Sequence, residues 1–177
     1  MPAPIIVSDG VISPEMRARR DAAIYVALPA GEVIFAPAAE TANGTVVYDP
    51  LFFNNVEVDG LTQKFANGRL TSMAAKTGLQ DVKKYYDAGT AGKDEFTFAD
   101  IGVNPGVTFI PGSKMTISMP AGMVSLGTGS NVFMGGSNAS RFSFGSSVSG
   151  ATVTIDGKEI VKVATSFDNG NHNLPNH

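Results

Sequence analysis

The sequence predicts an α+β fold dominated by strands, with mixed or antiparallel sheets, several hairpins and one main helix. Three observations carry that expectation. Short apolar runs recur between Gly, Asn, Asp and Pro turn signals. Two of those signals, Asn67-Gly68 and Asp156-Gly157, lie between β-favouring segments, the arrangement of a two-residue hairpin. One stretch, Gly78 to Ala88, places Leu79, Val82 and Tyr86 on a helical stripe, with Gly89 as its C-cap.

Each element follows in turn. Ile5-Ile6-Val7 reads as a strand stopped by Asp9-Gly10. Ser13-Pro14-Glu15 opens a helical turn, Ser as N-cap and Pro at the first helical position, with Arg17, Arg19 and Arg20 behind it. Residues 23–28 form a strand that Pro29 ends, and Val33-Ile34-Phe35 and Thr45–Tyr48 are buried strands. Leu51-Phe52-Phe53 is a compact apolar anchor. The first hairpin joins Leu61–Phe65 to Arg69-Leu70-Thr71. Beyond the helix, strands are expected at Glu95–Val103, 115–119, Met123–Leu126 and Arg141–Phe144. The second hairpin joins Thr152–Ile155 to Glu159-Ile160-Val161. Residues 127–150 are rich in Gly and Ser, yet Val132-Phe133-Met134, Phe142 and Phe144 supply apolar anchors, so ordered loops are expected there instead of a linker.

A chain of 177 residues suits one domain with a real core. The expected organisation is a lead-in over 1–22, a core over 23–165 and a polar tail over 166–177. Charged residues make up only 16%, which fits a turn-rich β protein with a polar but non-ionic surface. A net charge of -3 offers no field to draw nucleic acid or an anionic membrane. No apolar run approaches a membrane span and no secretory signal is visible, so cytoplasm is the default compartment. Cysteine is absent, which removes disulfides, thiolate metal sites and a Cys nucleophile.

Glu32 is the first candidate site residue. Pro29 and Gly31 confine the backbone ahead of it, so its carboxylate is aimed reproducibly, although composition alone favours a surface carboxylate at a turn. Among the other acids of the first 100 residues, Asp100 alone sits inside a run that reads as buried, and a lone acid in a strand more often faces outward. Hydrolytic zinc sites and non-haem iron sites nearly always include imidazole. The two histidines, His172 and His177, both fall in the polar tail, without an element to orient them as ligands or as a triad base. Gly127-Thr128-Gly129-Ser130-Asn131 lacks the Gly-Lys-Ser/Thr ending of a phosphate loop, and turn chemistry explains it better. Met115, Met119, Met123 and Met134 read as core filling.

Taken in order, the motifs resemble those of the M29 metallo-aminopeptidases, in the C-terminal, metal-carrying part of such enzymes. They are Leu28-Pro29-Ala30-Gly31-Glu32, Ala36-Pro37 with Glu40, the run from Asn43 to Asp49, and the Phe65-Ala66-Asn67-Gly68-Arg69 hairpin. Then come Ile101-Gly102-Val103-Asn104-Pro105, the Leu126–Asn131 and Gly135–Ser140 segments, and Val153–Lys158. The resemblance implies a two-metal site that activates water for peptide hydrolysis. Its first ligand position falls on Glu32. The remaining five fall on Phe98, Met123, Met134, Ser143 and Gly145, none of them a ligand. Ring-cleaving dioxygenases of the same superfamily place iron on the Phe98, Ser143 and Gly145 positions, which removes that chemistry as well. Apolar Phe98, Met123 and Met134 suit the volume that metals and water would occupy. The expectation is therefore a non-catalytic M29-like scaffold acting through binding or self-assembly, as a homo-oligomer or with a protein partner, with no cofactor. The alternative is a metal-dependent aminopeptidase or related hydrolase that takes divalent metal with ligands from another chain or segment.

Overall fold

The computed structural model describes residues 5–12, 14, 18, 28–108 and 119–161. Its centre is a five-stranded, wholly antiparallel sheet in the order β1-β2-β8-β9-β10, built from Ile5–Ser8, Glu32–Phe35, Phe96–Gly102, Val124–Gly129 and Ser143–Val148. A three-stranded sheet orders β3 (Gly44–Val47), β6 (Thr62–Ala66) and β7 (Arg69–Ala74). Two separate hairpins complete the strands: β4 (Leu51–Phe53) with β5 (Val56–Val58), and β11 (Val153–Ile155) with β12 (Lys158–Val161). The fold is α+β and β-dominated, with the helix α1 over Leu79–Asp87.

Local chemistry explains these elements. Asn67 (φ 49°) and Gly68 (φ 73°) hold the left-handed geometry of the β6–β7 turn, as Asp156 and Gly157 do for β11–β12. Helix α1 is shorter than its expected span, starting after a left-handed Gly78 and capped at Ala88, one residue before the expected Gly89. Its stripe is as expected: Val82 is fully buried, and Leu79 and Tyr86 pack against the same core. Leu51-Phe52-Phe53 is a strand rather than an isolated anchor. It turns through Asn54 and Asn55, both at positive φ, into β5. The expected strand Arg141–Phe144 begins two residues later, because the backbone at Ser140–Phe142 is tied to Thr90 and to the Ser140 hydroxyl. Of the sequence expectations, residues 23–27, Arg17, Arg19, Arg20, residues 115–118 and the tail with His172 and His177 lie outside the described residues. Met119 is buried and not in a strand.

The main core lies on one face of the central sheet. Tyr48, Leu51, Val58, Leu61, Val82, Phe142 and Phe144 form it, and Leu126 and Val148 pack against it. Tyr48–Phe144 and Tyr86–Phe142 meet edge-on, while Phe142 and Phe144 stack at 15° between ring planes. Tyr48 places its hydroxyl inside this core, donating to Gln63 Oε1 at 2.8 Å, and burial pushes its pKa above the usual phenol range. The opposite face carries a smaller cluster of Ile6, Ile34 and Met134, joined by Ala36 and Phe98. That second face positions the candidate site.

Candidate functional site

Strand register decides what this face presents. Pairing sets Ser8 opposite Glu32, Ile34 opposite Asp100, Asp100 opposite Ser125, and Ser125 opposite Ser147. Because side chains alternate, these polar residues share one face with Ile6, Ile34, Phe98, Gly127 and Gly145. The face therefore carries a polar band, to which every strand of the sheet contributes, beside an apolar band.

Glu32 lies within β2 and is only 5% exposed, so the surface-turn reading of this residue is corrected. The corner before it is clamped by Asn104. The Asn104 amide donates from Nδ2 to the Ala30 carbonyl at 2.6 Å, and Val103 N–H donates to the Gly31 carbonyl at 2.8 Å. Gly31 sits at φ 117°, where a Cβ would run into the Asn104 side chain, so glycine is required. Asn104 also accepts Gly106 N–H at its Oδ1 and Ala121 N–H at its backbone carbonyl. The Leu-Pro-Ala-Gly-Glu and Ile-Gly-Val-Asn-Pro segments, distant in sequence, form one joint.

Asp100 is the residue that sequence reasoning misplaced. It does not face outward but shares the Glu32 face, and its Oδ1 is buried with no hydrogen-bond partner among the described residues. Desolvation, and secondarily the Glu32 charge, push its pKa up to about 7. A β-strand acid two residues after a phenylalanine carries no sequence mark of this. The signal lay in register: β2 and β8 pair so that Glu32 and Asp100 are diagonal neighbours.

The replaced ligand positions gather around Phe98. Its ring lies across Gly127 and Gly145 so closely that a Cβ at either glycine would overlap it. Phe133 meets the ring edge-on at 5.7 Å between centroids. Met134 is 0% exposed within the Ile6–Ile34 cluster that also contacts Phe98. Met123 is buried at the other end, its carbonyl accepting Gly102 N–H at 2.9 Å, and Gly102 lies opposite Glu32. Ser143 and Gly145 are exposed along β10, the Ser143 hydroxyl donating to the Ser130 carbonyl at 3.2 Å. So Phe98, Met134 and Gly145 come together, Glu32 and Met123 bracket Gly102, and Ser143 stays at the rim. Among the described residues, no three His, Cys, Asp or Glu side chains are grouped as a metal would require.

The glycine-rich segment holds no phosphate loop. Gly127 and Gly129 belong to β9, and the loop after it is braced by Asn131, which donates from Nδ2 to the Thr97 carbonyl and accepts Asn138 N–H at Oδ1. Asn138 in turn donates to Gly92 O and to Glu95 Oε2. Residues 127–150 are thus ordered, as expected from their apolar anchors.

The family profile described as thermophilic metalloprotease (M29) matches residues 12–102, just over half of the chain. The chain belongs to the M29 family. Among solved structures, its fold is similar to that of 2,5-dihydroxypyridine dioxygenase from Pseudomonas putida KT2440, with TM-score 0.57 and 18% identity over 75% of this chain. It is also similar to wild-type AmpT from Thermus thermophilus, with TM-score 0.52 and 19% identity over 67% of this chain. The M29 chain spans only 43% and 33% of those two proteins. No curated protein sequence matches it. No helix among the described residues is long and apolar enough to cross a membrane.

Proposed function

We propose that this chain is a non-catalytic M29 scaffold that acts by binding or self-assembly. The observation that carries the reading is the Phe98 ring seated on Gly127 and Gly145. A metal site at these positions needs ligand side chains pointing into the space that the ring fills, and glycine at 145 has none to offer. Met134, buried against the same cluster, closes the volume further. The described residues do not fit a two-metal centre. Metal content of the purified chain, measured by elemental mass spectrometry with Glu32→Ala as control, tests the reading. Metal at or below trace level in both proteins is expected. Stoichiometric zinc, cobalt or iron that disappears in Glu32→Ala overturns it.

A second reading is favoured by a separate observation. Glu32 and Asp100 place two carboxylates on one face, diagonal across β2 and β8. In a metal-dependent hydrolase completed by ligands from another chain or segment, these two would be this chain's share. That reading requires the metal result above together with peptide hydrolysis lost in Glu32→Ala.

A further inference from the structure

Two buried polar side chains stand between the three-stranded sheet and the central sheet with hydrogen-bonding atoms that no described residue meets. Gln63 and Thr128 are both 0% exposed, and neither Gln63 Nε2 nor Thr128 Oγ1 has a partner among the described residues. Folding strips both atoms of water, a cost that native proteins nearly always offset with a hydrogen bond.

Contacts on either side bring the two residues together. Gln63 and Phe65 are the inward residues of β6, alternating with exposed Lys64 and Ala66. Gln63 Oε1 accepts the Tyr48 hydroxyl at 2.8 Å, and that hydroxyl lies 3.3 Å from the Leu126 carbonyl of β9. Phe65 meets Phe96 of β8 edge-on, at 5.1 Å between centroids. Thr128 is two residues beyond Leu126 on the same face of β9 and directly opposite Phe96. It is therefore flanked by both points at which these contacts join β6 to the central sheet. With Oε1 taken by Tyr48, Nε2 is the end of the Gln63 amide left for a further partner.

Chemistry narrows that partner. Gln63 Nε2 only donates, Thr128 Oγ1 donates or accepts, and Tyr48 Oη keeps acceptor capacity beyond its own donation. An ion is costly here, because the core around Tyr48 is built from uncharged side chains and desolvation raises the Tyr48 pKa. An extended ligand does not suit surroundings in which Tyr48, Gln63 and Thr128 are at most 3% exposed. What remains is a small neutral molecule that both accepts and donates.

We propose that Gln63, Thr128 and Tyr48 form an internal binding site for a single water molecule that bridges the three-stranded sheet to the central sheet. The water accepts from Gln63 Nε2, shares a hydrogen bond with Thr128 Oγ1 and donates to Tyr48 Oη, the three bonds typical of a buried water. Between Leu126 and Thr128 lies Gly127, on whose other face Phe98 is seated. The water thus braces β9 from behind that seat.

Magnetic relaxation dispersion of water oxygen, which counts long-lived internal waters, tests the site together with thermal unfolding. Valine copies the shape of Thr128 without its hydroxyl, and serine keeps the hydroxyl. Thr128→Val should lose the amplitude of one internal water and lower Tm by about 2–4 °C, the shift for one lost buried hydrogen bond in a chain of this size. Thr128→Ser should retain the water. Gln63→Leu should lose the same water, and adding Thr128→Val to it should remove no second one. The sign of the Tm change is decisive, since deleting a hydroxyl that has no partner at all leaves a core as stable or more so. An unchanged amplitude in Thr128→Val, or a Thr128→Val protein at least as stable as the wild type, overturns the inference.

Discussion

Replacing Asp100 by asparagine should stabilise this protein at neutral and alkaline pH and do nothing near pH 4. In the folded chain Asp100 holds its proton up to about pH 7, against 3.8 for a free side chain. Its raised pKa favours the fold fully below 3.8, and that contribution is lost as pH rises to 7, then stays lost. Three pKa units correspond to a ceiling of about 4 kcal/mol at 1.36 kcal/mol per unit. Asp100 is only partly buried, so water screens the charge and about 2 kcal/mol is the working figure. An asparagine side chain has nearly the same shape and no charge to desolvate. Urea unfolding of wild type and Asp100→Asn at pH 4, 5.5, 7 and 8.5 should show curves that coincide at the lowest pH and diverge as pH rises. The gap should level off above pH 7. Glu32→Gln should recover a smaller share, since desolvation outweighs the Glu32 charge as the cause. A constant offset between Asp100→Asn and wild type, or a less stable variant at pH 8.5, would refute the argument that Asp100 faces Glu32 in a poorly hydrated site.

Two other substitutions probe the same face. Phe98→Ala removes the ring from Gly127 and Gly145 and should cost about 2–3 kcal/mol in urea unfolding, below the full-burial range because the ring is partly exposed. A cost under about 0.5 kcal/mol, the range of a surface change, would mean the ring is not packed there. Asn104→Ala should cost about 1–2 kcal/mol by orphaning the part-buried Ala30 carbonyl, and hydrogen exchange should accelerate at Gly106 and Val103 before the sheet opens.

Much of the architecture was legible because turn chemistry is local. Asn67-Gly68 and Asp156-Gly157 announce their hairpins through residues that tolerate positive φ. The Asn54-Asn55 turn uses the same physics, but two asparagines without a glycine, following an apolar triplet, read as an anchor instead. The helix was marked by the spacing of Leu79, Val82 and Tyr86. The site was legible in identity more than in arrangement. Phe98 and Gly145 were read as replaced positions, yet nothing local says that one covers the other, because that contact depends on β8–β9–β10 register. A bulge between Phe96 and Phe98 shifts that register by one residue. Glu32 was legible as a candidate site residue from the bend at Pro29 and Gly31, but its burial was not, because that comes from β1 and β8 on either side. Asp100 failed for the complementary reason: alternation says that a residue faces one side, not which side is polar.

The seating of Phe98 on two glycines also sets the order in which this site could change. A side chain at position 145 and the ring at position 98 exclude one another. Introducing a carboxylate at 145 first forces the ring out of its seat, and shrinking the ring first leaves a void over bare backbone. Each single step descends in stability, and only the double replacement offers a new packing. The two positions are therefore coupled epistatically, and a walk by single substitutions from this sequence toward a ligand-bearing strand must cross a less stable intermediate.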